Sequence, residues 1–316
     1  MDIDPDFATF AADPRNTVRP PPPHVPLGKV RAAANAAMID TAPPPVAVVQ
    51  DGRVVTARGD IPLRLYRPQL HGVLPVIVFA HGGGFVWGSI DTHDGICRRL
   101  ALASGMAVVS VGYRLAPEAP FPAARDDVLA AVGRVGDLAE AWQIDPARLG
   151  LCGDSAGGHV VLTAALALRS AGAGLRHLAL IYPAVDPACA SASHLRLAEG
   201  PILSSAGMRW FWQACLGEAV ADPPEAAVPL AADLAGLPPT VVVTAGLDPL
   251  CDEGDALARR LNEHGVVVDW RRFDGAPHGI LSLDPEAGAS RACLAFVAGA
   301  AAASLRAAPP APTPED

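Results

Sequence analysis

Charge is scarce in this sequence. Only 18% of its 316 residues are Asp, Glu, Lys or Arg, and the balance is acidic at −9. There is no basic run and no basic patch interleaved with aromatics, so nucleic acid is not an expected partner. Aromatic residues are also few, at 5%. The six cysteines, at 97, 152, 189, 215, 251 and 293, include no C-x-x-C pair and no finger spacing. That excludes a disulfide framework and a zinc site, and leaves them as small buried hydrophobes in a reducing, cytoplasmic compartment. The opening MDIDPDFATFAADPRN lacks the charged-then-apolar pattern of a signal peptide. The longest apolar stretch, 292–305, is short of the roughly 20 residues a bilayer span needs. It reads as a buried terminal helix, and no stable membrane insertion is expected.

What the chain does have is apolar surface. Hydrophobic residues make up 51%, enough for the core of one large α/β unit. Apolar strand patterns recur near 47–56, 60–66, 75–80, 106–112, 148–153, 177–182, 239–245 and 266–273, with helical stretches between most of them. Such alternation predicts a mostly parallel sheet with helices on both faces. Residues 1–27, with RPPPPHVP at 19–26, are expected to be extended or mobile. A short helix follows within 28–40 and ends at the prolines of 42–45. Residues 184–237 contain the aromatic group MRWFWQACLG and no strand pattern, and are too long for an ordinary connection. Together with residues 1–45 they are expected to form a cap over the carboxyl ends of the strands, where open α/β sheets bind ligands. The expected division is a cap segment at 1–45, core at 46–183, cap insertion at 184–237, core at 238–305 and a disordered tail at 306–316.

Two motifs carry chemistry. Gly153-Asp154-Ser155-Ala156-Gly157 fits the G-x-S-x-G nucleophile elbow, a sharp strand-to-helix turn that exposes a serine hydroxyl. Side chains at the flanking glycines would collide with the neighbouring elements, and the following helix points its N-terminal N–H groups at the site. A glycine-rich turn carrying an incidental serine would read the same from these five residues. The second motif is His81-Gly82-Gly83-Gly84-Phe85, directly after the strand VIVFA. Three consecutive glycines let backbone approach a substrate and aim N–H donors at a developing oxyanion. A phosphate loop would want GxxxxGK[ST] or GxGxxG, and neither is present.

HGGGF at 81–85, YRLAPEAPFPAARDD at 113–127, GDSAGG at 153–158, AGLDPLCDEG at 245–254 and PHGI at 277–280 occur in this order. Together they resemble the hormone-sensitive-lipase family of α/β-hydrolases, in its bacterial esterase branch. The resemblance implies an α/β-hydrolase fold with a mostly parallel eight-stranded sheet, flanking helices and a helical cap. It also implies the N–H groups of Gly83, Gly84 and Ala156 as an oxyanion hole. Ile280 departs from the family, which commonly has an aromatic after the His-Gly pair.

Serine needs a base. His81 reads as a brace for the glycine loop. His159 lies one helical turn beyond Ser155, His93 opens a helix, and His264 sits at a helix end. His24, His71, His177 and His194 adjoin no motif. His278 alone follows a C-terminal strand as a loop residue, and is the expected base. In this fold the acid comes between serine and histidine, which points to Asp248 after TVVVTAG; the same Asp-Pro would also suit a helix start. Asp252 and Asp255 read as first-turn helix charges. Asp154 should point away from Ser155 by strand alternation.

The expected activity is hydrolysis of short- to medium-chain carboxylic esters through an acyl-enzyme, with no metal or organic cofactor. The alternatives are an amidase or acyltransferase with the same residues, or a non-catalytic ligand-binding protein on the same fold. Phe85, Trp87, Tyr182, Leu203, Trp210 and Phe211 are the expected pocket lining around a small ester. Pairing through the last strand makes a homodimer an expectation by analogy only.

Overall fold

In the computed structural model, which describes residues 2–306, eight strands form a single sheet in the order β1-β2-β4-β3-β5-β6-β7-β8. They are β1 Val48–Val54, β2 Ile61–Arg67, β3 Leu74–Ala80, β4 Ala107–Val111, β5 Ile144–Asp154, β6 His177–Ile181, β7 Thr240–Leu247 and β8 Val268–Pro277. Only the β1–β2 and β2–β4 pairs are antiparallel; β4, β3, β5, β6, β7 and β8 run parallel. The central strands read as unbroken apolar runs (LPVIVFA, AVVSV, HLALI) because both faces are covered.

Alternation along β3 shows where each face goes. Val76 and Val78 join one core, with α4 Ala123–Asp137, α6 Ala156–Ser170 and α9 Cys251–Glu263. Ile77 and Phe79 join the other, with α3 Asp94–Ser104 and α11 Gly288–Arg306. The remaining helices are α1 Pro5–Ala11, α2 Leu27–Ala37, α5 Ala139–Trp142, α7 Ala192–Arg196, α8 Ser205–Leu216 and α10 Ile280–Leu283. Residues 184–237 hold α7, α8 and three 3-10 turns. Ser204 starts α8 by accepting the Gly207 N–H on its hydroxyl.

Three expectations need correction. Residues 1–27 are not simply extended: Asp4 caps α1, and Phe7 is fully buried in the α3/α11 core. The Asp4 N–H also donates to Gly275 O of β8 at 2.9 Å. Proline at the first helical position supports this helix, although the segment's polar composition suggested none. The apolar stretch at 292–305 belongs to a longer helix, α11, which by length and composition could cross a bilayer. Here it packs along α3 and the sheet with Cys293, Val297, Ala301 and Leu305 buried. Arg306, expected in a disordered tail, ends α11 and donates to Ser104 O at 2.8 Å; the rest of that tail lies outside the described residues.

Phe7→Ala should therefore destabilise the protein by about 3–5 kcal/mol in urea unfolding, the usual cost of deleting a fully buried phenyl ring. A change well below about 1 kcal/mol would mean that α1 is not docked.

Candidate active site

Strand β5 ends at Asp154 and α6 begins at Ala156, leaving Ser155 alone in the turn with φ 53° and ψ −121°. A non-glycine residue is strained there, and the turn is held by the Ser155 N–H donating to Ile181 O at 2.8 Å. The glycines on either side are needed for space. A Cβ on Gly153 would lie 2.3 Å from Gly157 O, and one on Gly157 would lie 2.1 Å from Ala80 O at the end of β3.

Two further strand ends supply the partners. His278 follows β8, and its Nε2 lies 2.9 Å from Ser155 Oγ. Asp248 follows β7, and its Oδ2 lies 2.6 Å from His278 Nδ1. Asp248 is fully buried, and its Oδ1 also accepts the Leu250 N–H at 2.9 Å, so it serves both the imidazole and the helix start. An ionised Asp248 places the imidazole proton on Nδ1 and leaves Nε2 free to accept from the serine. Burial pulls the His278 pKa down, but the charge of Asp248 and its hydrogen bond outweigh this, and the net shift is upward.

The glycine loop lies next to the serine turn. Gly83 and Gly84 take φ of 116° and 59°, and among the described residues the N–H groups of Gly83, Gly84 and Ala156 have no hydrogen-bond partner. Phe211 of α8 rests on the loop: a Cβ on Gly84 would lie 2.2 Å from its ring. His81 braces the loop, as expected, by donating from Nδ1 to Gly82 O at 2.8 Å; burial lowers its pKa to about 3, so it stays neutral. His159 is turned away, donating from Nε2 to Ala227 O.

The six expected lining residues separate. Trp87, Trp210 and Phe211 form one aromatic group over the glycine loop, with centroids 4.6–5.9 Å apart. Tyr182 is buried behind the site, its ring edge-on to His278 at 5.0 Å. Phe85 and Leu203 are packed elsewhere. The left-handed backbone at Phe85 (φ 68°) turns its ring onto Trp212 and His159, into a separate small cavity with Phe121 and Cys215. Leu203 pairs by its backbone with Val18 and is buried where the N-terminal segment meets α8.

Several supports carried no motif of their own. Arg31 of α2 donates to Val86 O and Ala116 O, and Asn35 accepts the Gly88 N–H, so α2 holds the far end of the glycine loop. Ser193 of α7 donates to Pro249 O at 2.6 Å, and His194 lies 3.3 Å from buried Glu253, fastening α7 to the turn that carries Asp248. Cys251, Asp252 and Asp255 are close enough together to hold a cation. Their carboxylates already serve Ser193 N–H, Thr244 Oγ1 and Arg272.

A family described as "alpha/beta hydrolase fold" matches residues 77–282. The chain belongs to the hormone-sensitive-lipase-like α/β-hydrolases. This hydrolase is 37% identical over 252 residues to a carboxylic ester hydrolase, LipN, of Mycobacterium tuberculosis, covering 77% of this chain and 67% of that one. It is 37% identical over 235 residues to an ethyl acetate hydrolase of Pseudomonas putida, covering 71% and 72%. Its structure is similar to a hyperthermophilic esterase from the archaeon Pyrobaculum calidifontis, with a TM-score of 0.89, 34% identity and coverage of 96% and 99%.

A base of raised pKa remains protonated, and so idle, above the ordinary histidine value of 6.5. The acid limb of kcat/KM for ester hydrolysis should accordingly fall above pH 6.5. Asp248→Asn removes the cause of the shift, so the limb should move to lower pH while kcat drops about 10⁴-fold. A limb that stays in place in Asp248→Asn would show that this carboxylate does not control the imidazole.

Proposed function

We propose that the chain is a serine carboxylesterase acting on short- to medium-chain acyl esters through a covalent acyl-enzyme. The coarser assignment, a carboxylic ester hydrolase, rests on family membership and on relatives named for that activity. One observation carries the finer one: an unbroken hydrogen-bond chain from Ser155 Oγ through His278 to Asp248, beside three N–H groups without partners among the described residues.

In this reading His278 Nε2 takes the hydroxyl proton as Ser155 Oγ bonds to the ester carbonyl carbon. The carbonyl oxygen becomes an oxyanion, held by Gly83, Gly84 and Ala156. Each such donor is typically worth about 3–4 kcal/mol of the barrier. Collapse of the intermediate breaks the bond to the alcohol oxygen, which leaves with the proton from His278. Water, deprotonated by the same nitrogen, then attacks the acyl-enzyme and releases the acid. Asp248 stabilises the imidazolium through both steps. The aromatic group resting on Gly84 limits the room above the loop, which favours short acyl chains. No cofactor enters this scheme. The unpaired, buried cysteines suit a cytoplasmic enzyme.

Ser155→Ala should lower kcat on p-nitrophenyl butyrate by about 10⁵-fold and abolish covalent labelling by an organophosphate. Wild-type turnover in that variant would overturn the reading. A panel of acyl lengths should favour butyrate and hexanoate over palmitate, and p-nitrophenyl esters should outpace the matching anilides; the reverse order would indicate an amidase or a long-chain lipase.

A further inference from the structure

Beside the residues assigned above lies a buried cluster that the scheme does not use. Asp154 is the residue before Ser155, but strand alternation sends its carboxylate the other way. Its Oδ1 accepts the Gly82 N–H at 2.9 Å, and a Cβ on Gly82 would lie 2.5 Å from Oδ2, so this contact requires bare backbone. Gly82 directly precedes the Gly83 and Gly84 donors. His93 completes the contact. Thr92 Oγ1 donates its single proton to Ser89 O, so the 2.8 Å contact with His93 Nδ1 must be donated by the imidazole. Nε2 of His93 then lies 3.2 Å from the Gly82 nitrogen and 3.4 Å from Asp154 Oδ1. From the other side the Tyr113 hydroxyl donates to His81 O at 2.6 Å, and its ring stacks on His81 at 4.1 Å. Asp154, His93, His81 and Tyr113 are all buried.

We propose that Asp154 and His93 are a positioning pair for the oxyanion donors, fixing the Gly82 peptide, and through it the Gly83 and Gly84 N–H groups, against Ser155. The inference rests on the esterase reading above. Its physical content is that a single residue, through its backbone and its side chain, ties the nucleophile to the glycine loop. Loosening the tie displaces donors that matter in the transition state and leaves ground-state substrate binding nearly untouched.

The test compares kcat and KM on p-nitrophenyl butyrate, with kcat counted per serine titrated by an organophosphate burst so that misfolded molecules drop out. Asp154→Ala should lower kcat about 10²-fold with KM changed by less than about threefold. Asp154→Asn keeps an oxygen acceptor for the Gly82 N–H and should recover about tenfold of that loss. His93→Gln should give an intermediate loss at unchanged KM, and carries the test if Asp154→Ala does not fold. Wild-type kcat per titrated serine in Asp154→Ala or His93→Gln, equal losses in the Ala and Asn variants, or a change in KM alone would overturn the proposal while leaving the esterase reading intact. A wild-type protein with no titratable serine would overturn both.

Discussion

The site depends on one close approach, that of the first turn of α6 to the carboxyl end of β3. At Gly157 the backbone passes so near Ala80 O and His81 O that no side chain fits between them. There a helix lies against the start of the glycine loop, next to the strained serine turn and to three N–H groups that have no hydrogen-bond partner among the described residues. The strain at Ser155 is tolerated because both ends of the turn are fixed, by the parallel strands on one side and by α6 on the other.

Elements distant in sequence then hold what this contact brings together. Helix α2 grips the far end of the glycine loop through Arg31 and Asn35, α8 lays Phe211 across it, and α7 fastens the turn behind Asp248 through Ser193 and His194. Residues 4–7 lie against β8 and the core shared with α3 and α11. Helices α2 and α7 are thus hydrogen-bonded, and α8 packed, against the two loops that the proposed mechanism uses. Rigid support of this kind keeps polar groups in place at no reorganisation cost during reaction.

Much of this was legible in the chain itself. Strand periods and apolar runs located all eight strands, most plainly the central ones, because a sheet covered on both faces imposes its own residue pattern. The glycine motifs and the chain order of serine, acid and base led to Ser155, Asp248 and His278, which the fold does bring into hydrogen-bond contact. What stayed illegible depends on tertiary partners. Phe85 follows the glycine loop and looks like a pocket wall, but a positive φ turns it into the core. Tyr182 is buried, with its ring edge-on to the His278 imidazole. The N-terminal helix was hidden by polar composition, because its stability comes from the single ring of Phe7 reaching a core built by α3 and α11. The role of Tyr113 was hidden within a quoted motif, since nothing local to YRLAPE shows which carbonyl its hydroxyl will meet.

The order in which the parts are encoded has a biosynthetic consequence. The serine turn and the glycine loop lie in the first half of the chain, whereas Asp248 and His278 follow β7 and β8. In the proposed mechanism, a ribosome-bound fragment that has not yet exposed β8 presents Ser155 without its proton acceptor, and Phe7 must wait for α11 before it is fully enclosed. On the proposed scheme, reactivity is therefore switched on late in synthesis, when the last strand joins the sheet and residues near both ends of the described fold meet.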